Sequence, residues 1–226
     1  MGRLRRAATA ATFAIALTSA AGGAPARADD FVPVTLSGFA FEDRNGDGVY
    51  DPFTERPQDG FVIDLSDGDT ILQQAFTWGG EFAFSNVGPG TFYVYEEPFG
   101  DWFTGGYMVT TSSGVDVDNI IFPNFEAGQV SGYVFEDRTG DGFSTDDTAV
   151  DTPVTLDLYV EGGTAPIAST NSYPGGWYSF TFLWAGVYTV RERVPAGYTL
   201  TAQTGSTIYI YSGTNSPGNN FDNYLR

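Results

Sequence analysis

Gly38-Phe39-Ala40-Phe41-Glu42-Asp43-Arg44-Asn45-Gly46-Asp47-Gly48 returns further along the chain as Gly132-Tyr133-Val134-Phe135-Glu136-Asp137-Arg138-Thr139-Gly140-Asp141-Gly142. Two later segments recur in the same order: Gly80-Glu81-Phe82-Ala83-Phe84 matches Gly176-Trp177-Tyr178-Ser179-Phe180, and Gly90-Thr91-Phe92-Tyr93-Val94-Tyr95-Glu96 matches Gly186-Val187-Tyr188-Thr189-Val190-Arg191-Glu192. An order kept at nearly constant spacing is the mark of a duplicated module. The mature chain therefore divides into two tandem domains, residues 31–127 and 128–226, with a short joint near Glu126 to Gln129.

Each copy reads as strands. Val34-Thr35-Leu36 runs into the Gly38–Phe41 segment, and Phe61–Leu65 and Ile71–Phe76 flank a Ser66-Asp67-Gly68-Asp69 turn that predicts a hairpin. Phe82–Phe84 and Phe92–Tyr95 bracket Gly88-Pro89-Gly90. In the second copy Val154–Leu158, Tyr178–Phe180 and Tyr188–Val190 alternate apolar and polar side chains, as half-buried strands do. No segment of the mature chain has helical periodicity. Short strands with frequent turn signals predict an all-β fold, one Ig-like β-sandwich per copy.

Composition removes whole classes of chemistry. The chain holds 28 acidic residues against 10 basic ones, a formal charge of −18, and every basic residue is an arginine. Such a balance repels polyanions, so no nucleic-acid partner is expected. His, Cys and Lys are all absent. Their absence excludes a Ser-His-Asp triad, thiol chemistry, disulfides, zinc clusters and lysine Schiff bases. The 13 Tyr and 19 Phe are too many for a disordered acidic tail.

The first 28 residues read as a signal peptide: Arg3, Arg5 and Arg6, an apolar stretch from Ala7 to Ala21, and Ala26-Arg27-Ala28 as an A-x-A cleavage site. Cleavage leaves six arginines against all 28 acids. No later segment is apolar enough for a membrane span. Phe221–Arg226 carries no hydrophobic tail or sorting motif, so covalent wall anchoring is not expected from this chain. Secretion to the extracellular space, with at most loose cell-surface association, is the expected localisation.

Some of the acid is spaced like a ligand set. Asp43, Asn45, Asp47 and Asp51 put oxygen-bearing side chains at alternate positions, Gly48 permits a sharp turn, and Val49 offers a backbone carbonyl at position seven. That pattern suits Ca2+, which takes six to eight hard oxygens. Position twelve, where a bidentate glutamate would close an EF-hand, is Thr54, with Glu55 one place late; the closing ligand stays open between Asp51 and Glu55. The second copy offers Asp137, Thr139, Asp141, the Phe143 carbonyl and Asp147, with Asp146 as the alternative closing residue. Thr139 is a poorer ligand than Asn45, so the second loop is expected to be the weaker site.

These residues carry a resemblance. The Gly38–Asp51 run, the Gly-x-Tyr/Phe-x-Phe strand and the Pro89–Glu96 segment, with their second copies, resemble the B domain of the SdrD-type serine-aspartate repeat surface proteins, which belong with the Cna-B or transthyretin-like sandwiches. The resemblance implies a prealbumin-like β-sandwich that binds calcium in its acidic loop and serves as a rigid spacer or adhesion-type surface component. Tyr188-x-Val190-x-Glu192-x-x-Pro195-x-Gly197-Tyr198 also resembles the E-box of pilin-type relatives, whose glutamate promotes a Lys–Asn isopeptide bond. Without lysine that bond cannot form here. Glu96 and Glu192 are then expected to pair with an arginine or face water.

Two other functions compete. Trp78, Trp102, Trp177 and Trp184, with Tyr107 and Tyr198, would suit an extracellular carbohydrate-binding module if they are exposed. A carboxylate-pair glycosidase depends on a separation that the sequence does not state, and domains of this size leave little room for a cleft. No enzymatic activity is expected; the candidate partners are a cell-surface or matrix protein or a polysaccharide.

Overall fold

The computed structural model describes residues 31–226; the signal peptide expected over residues 1–28, with its expected cleavage site, lies outside the described residues. The described residues form two compact units that divide between Phe125 and Glu126, except that Arg44–Gly46 group with the second. Both are all-β, and no helix among the described residues is long and apolar enough to cross a membrane.

The first unit contains β1 (Val34–Glu42), β2 (Val62–Ser66), β3 (Ile71–Phe76), β4 (Glu81–Val87), β5 (Gly90–Glu96), β6 (Trp102–Phe103), β7 (Gly106–Thr111) and β8 (Val117–Glu126). They form two four-stranded sheets, ordered β4-β1-β8-β6 and β3-β2-β5-β7. The hairpin over Ser66–Asp69 forms with Asp64 opposite Gln74. The Asp67 carboxylate accepts the Asp69 and Thr70 N–H groups, which holds the turn without help from the core. β4 and β5, joined across Gly88-Pro89, lie in different sheets, so that short link crosses from one layer to the other. Leu36, Ala40, Phe82, Phe84, Ile120 and Phe122 from one sheet meet Ile63, Leu65, Val94 and Val109 from the other in a single core. Each of these Val, Leu, Ile and Phe side chains contributes roughly 1.5–3 kcal/mol on burial.

The second unit contains β9 (Gly128–Asp137), β10 (Thr148–Ala149), β11 (Thr155–Val160), β12 (Ala168–Asn171), β13 (Trp177–Leu183), β14 (Gly186–Glu192), β15 (Tyr198–Gln203), β16 (Ile208–Ile210), β17 (Asn215–Ser216) and β18 (Phe221–Leu225). One sheet is ordered β12-β11-β14-β16. The other centres on β9, whose first half pairs with β13 and β17 and whose second half pairs with β18 and β10. Val130, Val134, Tyr178, Phe180 and Phe221 of this sheet are buried, as are Leu156, Leu158, Val190, Ile208 and Ile210 of the first.

The opening glycine of the repeated motif has a steric reason in both units. A Cβ on Gly38 would lie 2.0 Å from the Ile120 carbonyl oxygen, and one on Gly132 would lie 2.0 Å from that of Asn219. Only a residue without a side chain lets these backbones approach so closely.

The last strand of each unit runs parallel to its first, and the register fixes which residues are equivalent. Phe41 and Glu42 lie opposite Pro123 and Asn124; their repeat mates Phe135 and Glu136 lie opposite Asp222 and Asn223. Asn124 thus corresponds to Asn223, and Pro123 to Asp222.

Candidate metal centres

Both acidic loops leave the end of the first strand of their unit and fold back over it. In the first, Asp43 is 1% exposed, and its carboxylate accepts the N–H groups of Asp47 (3.1 Å) and Gly48 (2.8 Å). Gly48 has φ +75°, a conformation that costs glycine little. Asp47 in turn accepts the Val49 N–H at 2.8 Å.

Asp43, Asp47 and Glu55 each present a carboxylate oxygen within 4.8 Å of the others. Glu55, rather than Asp51, enters this group. Asp51 spends its two oxygens on the Phe53 N–H and the Thr54 hydroxyl, and its carbonyl accepts the Glu55 N–H at 2.8 Å. The resulting turn delivers Glu55, whose side chain is buried, toward Asp43. Asn45 and the Val49 side chain are exposed in the same loop.

The second loop repeats the plan. Asp137, also 1% exposed, accepts the N–H groups of Thr139, Gly140 and Gly142 at 3.1, 2.6 and 2.9 Å. Burial pushes its carboxyl up, but the Thr201 hydroxyl and these backbone donors outweigh that and hold it at about 2. Asp137, Asp141 and Asp147 bring their oxygens within 4.8 Å of one another. The Thr139 hydroxyl donates to Asp141 at 2.8 Å. Asp146 is held by the Ser144 hydroxyl and stands outside the group. The Phe143 ring packs edge-on against Phe135.

The donor chemistry fits a hard cation. Each group is made of carboxylates alone, with no nitrogen or sulfur donor; Asp43 and Glu55 are the buried members of the first and Asp137 that of the second. Repulsion among three close carboxylates is relieved by a divalent ion that accepts oxygen ligands.

Glu96 and Glu192 differ from the sequence expectation. Neither pairs with arginine nor faces open water. Asn124 donates its side-chain N–H to Glu96 at 2.9 Å, and Asn223 donates to both oxygens of Glu192 at 2.8 and 3.0 Å. In each unit this pair ties one sheet to the other, β5 to β8 and β14 to β18. Burial pushes Glu96 up to about 8 and Glu192 up to about 7, despite the stabilising asparagine bond. Extended backbone turns alternate residues to opposite faces. Sequence alternation therefore shows that a strand glutamate points inward or outward only if the sheet's pairing is known.

The aromatic candidates separate by burial. Trp102 packs edge-on against Phe61, and the Tyr107 ring packs against Phe122 while its hydroxyl donates to the Ile121 carbonyl. Trp78 is largely exposed, and Trp177 stacks on Tyr173 with ring centroids 5.6 Å apart.

Residues 128–220 match the model of the SdrD B-like domain. The second unit is an SdrD B-like domain. The chain is also similar to serine-aspartate repeat-containing protein F of Staphylococcus epidermidis, 30% identical over 195 residues that make up 77% of this chain and 11% of that protein. The same-named protein of Staphylococcus epidermidis strain ATCC 12228 is 29% identical over 77% of this chain and 12% of its own length. The chain thus spans about a tenth of the curated relatives it matches. Among solved structures, the minor pilin GBS52 of Streptococcus agalactiae overlaps 85% of this chain and 96% of its own, at 16% identity and a TM-score of 0.36. Within the SdrD B-like unit, Asp137, Asp141 and Asp147 all fall inside the matched residues, whereas Asp222 and Asn223 lie just beyond them.

Proposed function

We propose that this is an exported, non-enzymatic structural and interaction protein. Its two β-sandwich modules, residues 31–127 and 128–226, each hold a calcium ion in the acidic loop and act as a stiff spacer or adhesion-type component outside the cell, secreted or loosely held at the surface. The observation that carries this reading is the duplicated carboxylate group, Asp43–Asp47–Glu55 and Asp137–Asp141–Asp147, at equivalent places in two copies of one fold. Its chemistry is that of an oxygen-only cation site, and the similarity to serine-aspartate repeat proteins points to the same extracellular setting.

Bound calcium supplies positive charge to loops that otherwise concentrate negative charge. Asp43 and Asp137, fixed by backbone N–H groups, would be the anchored ligands. Asp47, Glu55, Asp141 and Asp147 would close around the ion. Extracellular modules work at affinities of about 10⁻⁴ to 10⁻³ M, matched to the calcium outside cells. An ion present at 100 times its dissociation constant stabilises its module by about 2.7 kcal/mol, or roughly 10 °C or more in Tm for a domain of this size.

The test is thermal unfolding and limited proteolysis of the chain with calcium and with excess chelator. Calcium should raise Tm and slow cleavage, and magnesium at equal concentration should do so less. Identical melting and cleavage with and without chelator would end the reading.

A further inference from the structure

A buried carboxylate stands behind the second loop, and the loop's own spacing gives no hint of it. Asp222, on β18, is 0% exposed, and neither of its carboxylate oxygens has a hydrogen-bond partner. It faces the loop: Asp222 lies opposite Phe135 and Tyr224 opposite Asp137 on neighbouring parallel strands, so the side chains of Asp222 and Asp137 stand on the same face of the sheet. Asp222 therefore stands on the side of the sheet from which Asp137 enters the group of Asp137, Asp141 and Asp147. A buried polar group without a partner costs roughly 1–3 kcal/mol, and more when charged. Among the described residues no arginine pairs with Asp222, and the Thr201 hydroxyl donates to its backbone carbonyl and not to its carboxylate.

The first unit has no counterpart. The equivalent position in the strand register is Pro123, which has no side-chain oxygen. The two sites thus differ in a residue roughly 75–80 positions downstream of the loops, and not only in Asn45 against Thr139.

We propose that Asp222 is a fourth carboxylate ligand for calcium at the second site, and that it makes this site the tighter of the two. The inference rests on the calcium reading above. The site then joins Asp137, Asp141 and Asp147 from the loop to Asp222 from the closing strand. Occupation would clamp the strand that ends the unit to the loop that follows its first strand. Affinity at oxygen sites rises with the number of charged ligands and with their rigidity, and Asp222 adds both. This outweighs the exchange of an asparagine for Thr139, whose hydroxyl is engaged with Asp141.

The experiment is a calorimetric calcium titration of the whole chain, unsubstituted and as Asp222→Asn and Asp47→Asn, with melting of each in chelator to verify folding. The unsubstituted chain should bind in two steps. D222N should weaken the tighter step by about tenfold or more, leave the weaker one in place, and melt in chelator no lower than the unsubstituted chain. D47N should weaken only the weaker step. If D222N changes neither step, Asp222 is a buried acid without a ligand role and the proposal falls while the calcium reading stands. Loss of the weaker step instead overturns the ordering. No uptake by the unsubstituted chain overturns both.

Discussion

The two units meet the same buried carboxylate in different ways. Asp64 on β2 and Asp157 on β11 occupy the same place in the repeat, and both are buried. Asp157 receives Arg193 through two hydrogen bonds, 2.7 and 2.9 Å, and the Ser169 hydroxyl as well. Arg193 holds its carboxyl below the usual range. Asp64 receives an amide from Gln74 at 2.9 Å and has the Tyr95 side chain beside it, but no cation. The residue at Arg193's place is Glu97: the N–H of Glu97 reaches Val62 just as that of Arg193 reaches Thr155. The acidic loops differ likewise, with Pro123 in one unit where the other has Asp222. The Glu–Asn bridge between layers is kept in both. The frame is shared because packing and register depend on shape, whereas the partner of each buried charge is one side chain that can change without moving the backbone.

The largest test of this comparison concerns the feature the units share. Glu96, pushed up to about 8, stays protonated in the folded state over a range where an unfolded glutamate is ionised. Folding then binds a proton, so stability should fall as pH rises from about 4.3, the unfolded value, toward 8, and level off above it. Denaturant titrations in chelator across this range should show a loss on the order of a few kcal/mol in the first unit's transition. Glu96→Gln should flatten it. Glu192→Gln should do the same to a smaller extent in the second unit, whose window closes near 7. Parallel profiles for the substituted and unsubstituted chains would show that the bridge does not set the pH response.

The anchoring aspartates come next. Asp137 accepts three backbone N–H groups and Asp43 two. In the presence of chelator Asp137→Ala should cost about 2–3 kcal/mol and Asp43→Ala somewhat less. Chemical denaturation measures both, and a larger loss at Asp43 would reverse the ranking of the loops.

A smaller effect is expected where the units differ at Asp64 and Asp157. Glu97→Arg should supply the first unit with the missing cation and raise its stability by about 1 kcal/mol. Arg193→Gln should lower that of the second by a similar amount, limited by the exposure of the guanidinium. Melting of the two variants would reveal opposite signs, and equal signs would break the equivalence. The smallest effect is expected at Arg56, which reaches Glu42 at 2.8 Å with its own side chain 77% exposed. Arg56→Gln should move Tm by an amount worth about 0.5 kcal/mol or less.

Much of this architecture was legible before any coordinates. The hairpin over Ser66–Asp69, the strands at Phe82–Phe84 and Phe92–Tyr95 and the acidic loops follow from local patterns of apolar alternation and turn residues. The glutamate that enters the first loop was harder to see. Asp51 and Glu55 are equally plausible by spacing, and the choice fell to a turn in which Asp51 is consumed by Phe53 and Thr54. The bridge of Glu96 to Asn124 differs from the arginine pair or exposed glutamate that the sequence predicts, because its partner lies 28 positions away on the opposite sheet.

By itself the amino-acid order determined the duplication, the all-β class, the chemistry excluded by the missing His, Cys and Lys, and the ligand-like spacing of the two loops. All of these depend on residue identity and on neighbours within a few positions. The tertiary structure alone decided that β1 and β8 run side by side in parallel, that Asp222 stands behind one loop and Pro123 in its place behind the other, and that two strand glutamates turn inward to meet asparagines. Those outcomes follow from which distant strands pair and in what register, and a shift of one residue in that register would turn each of these side chains to the other face.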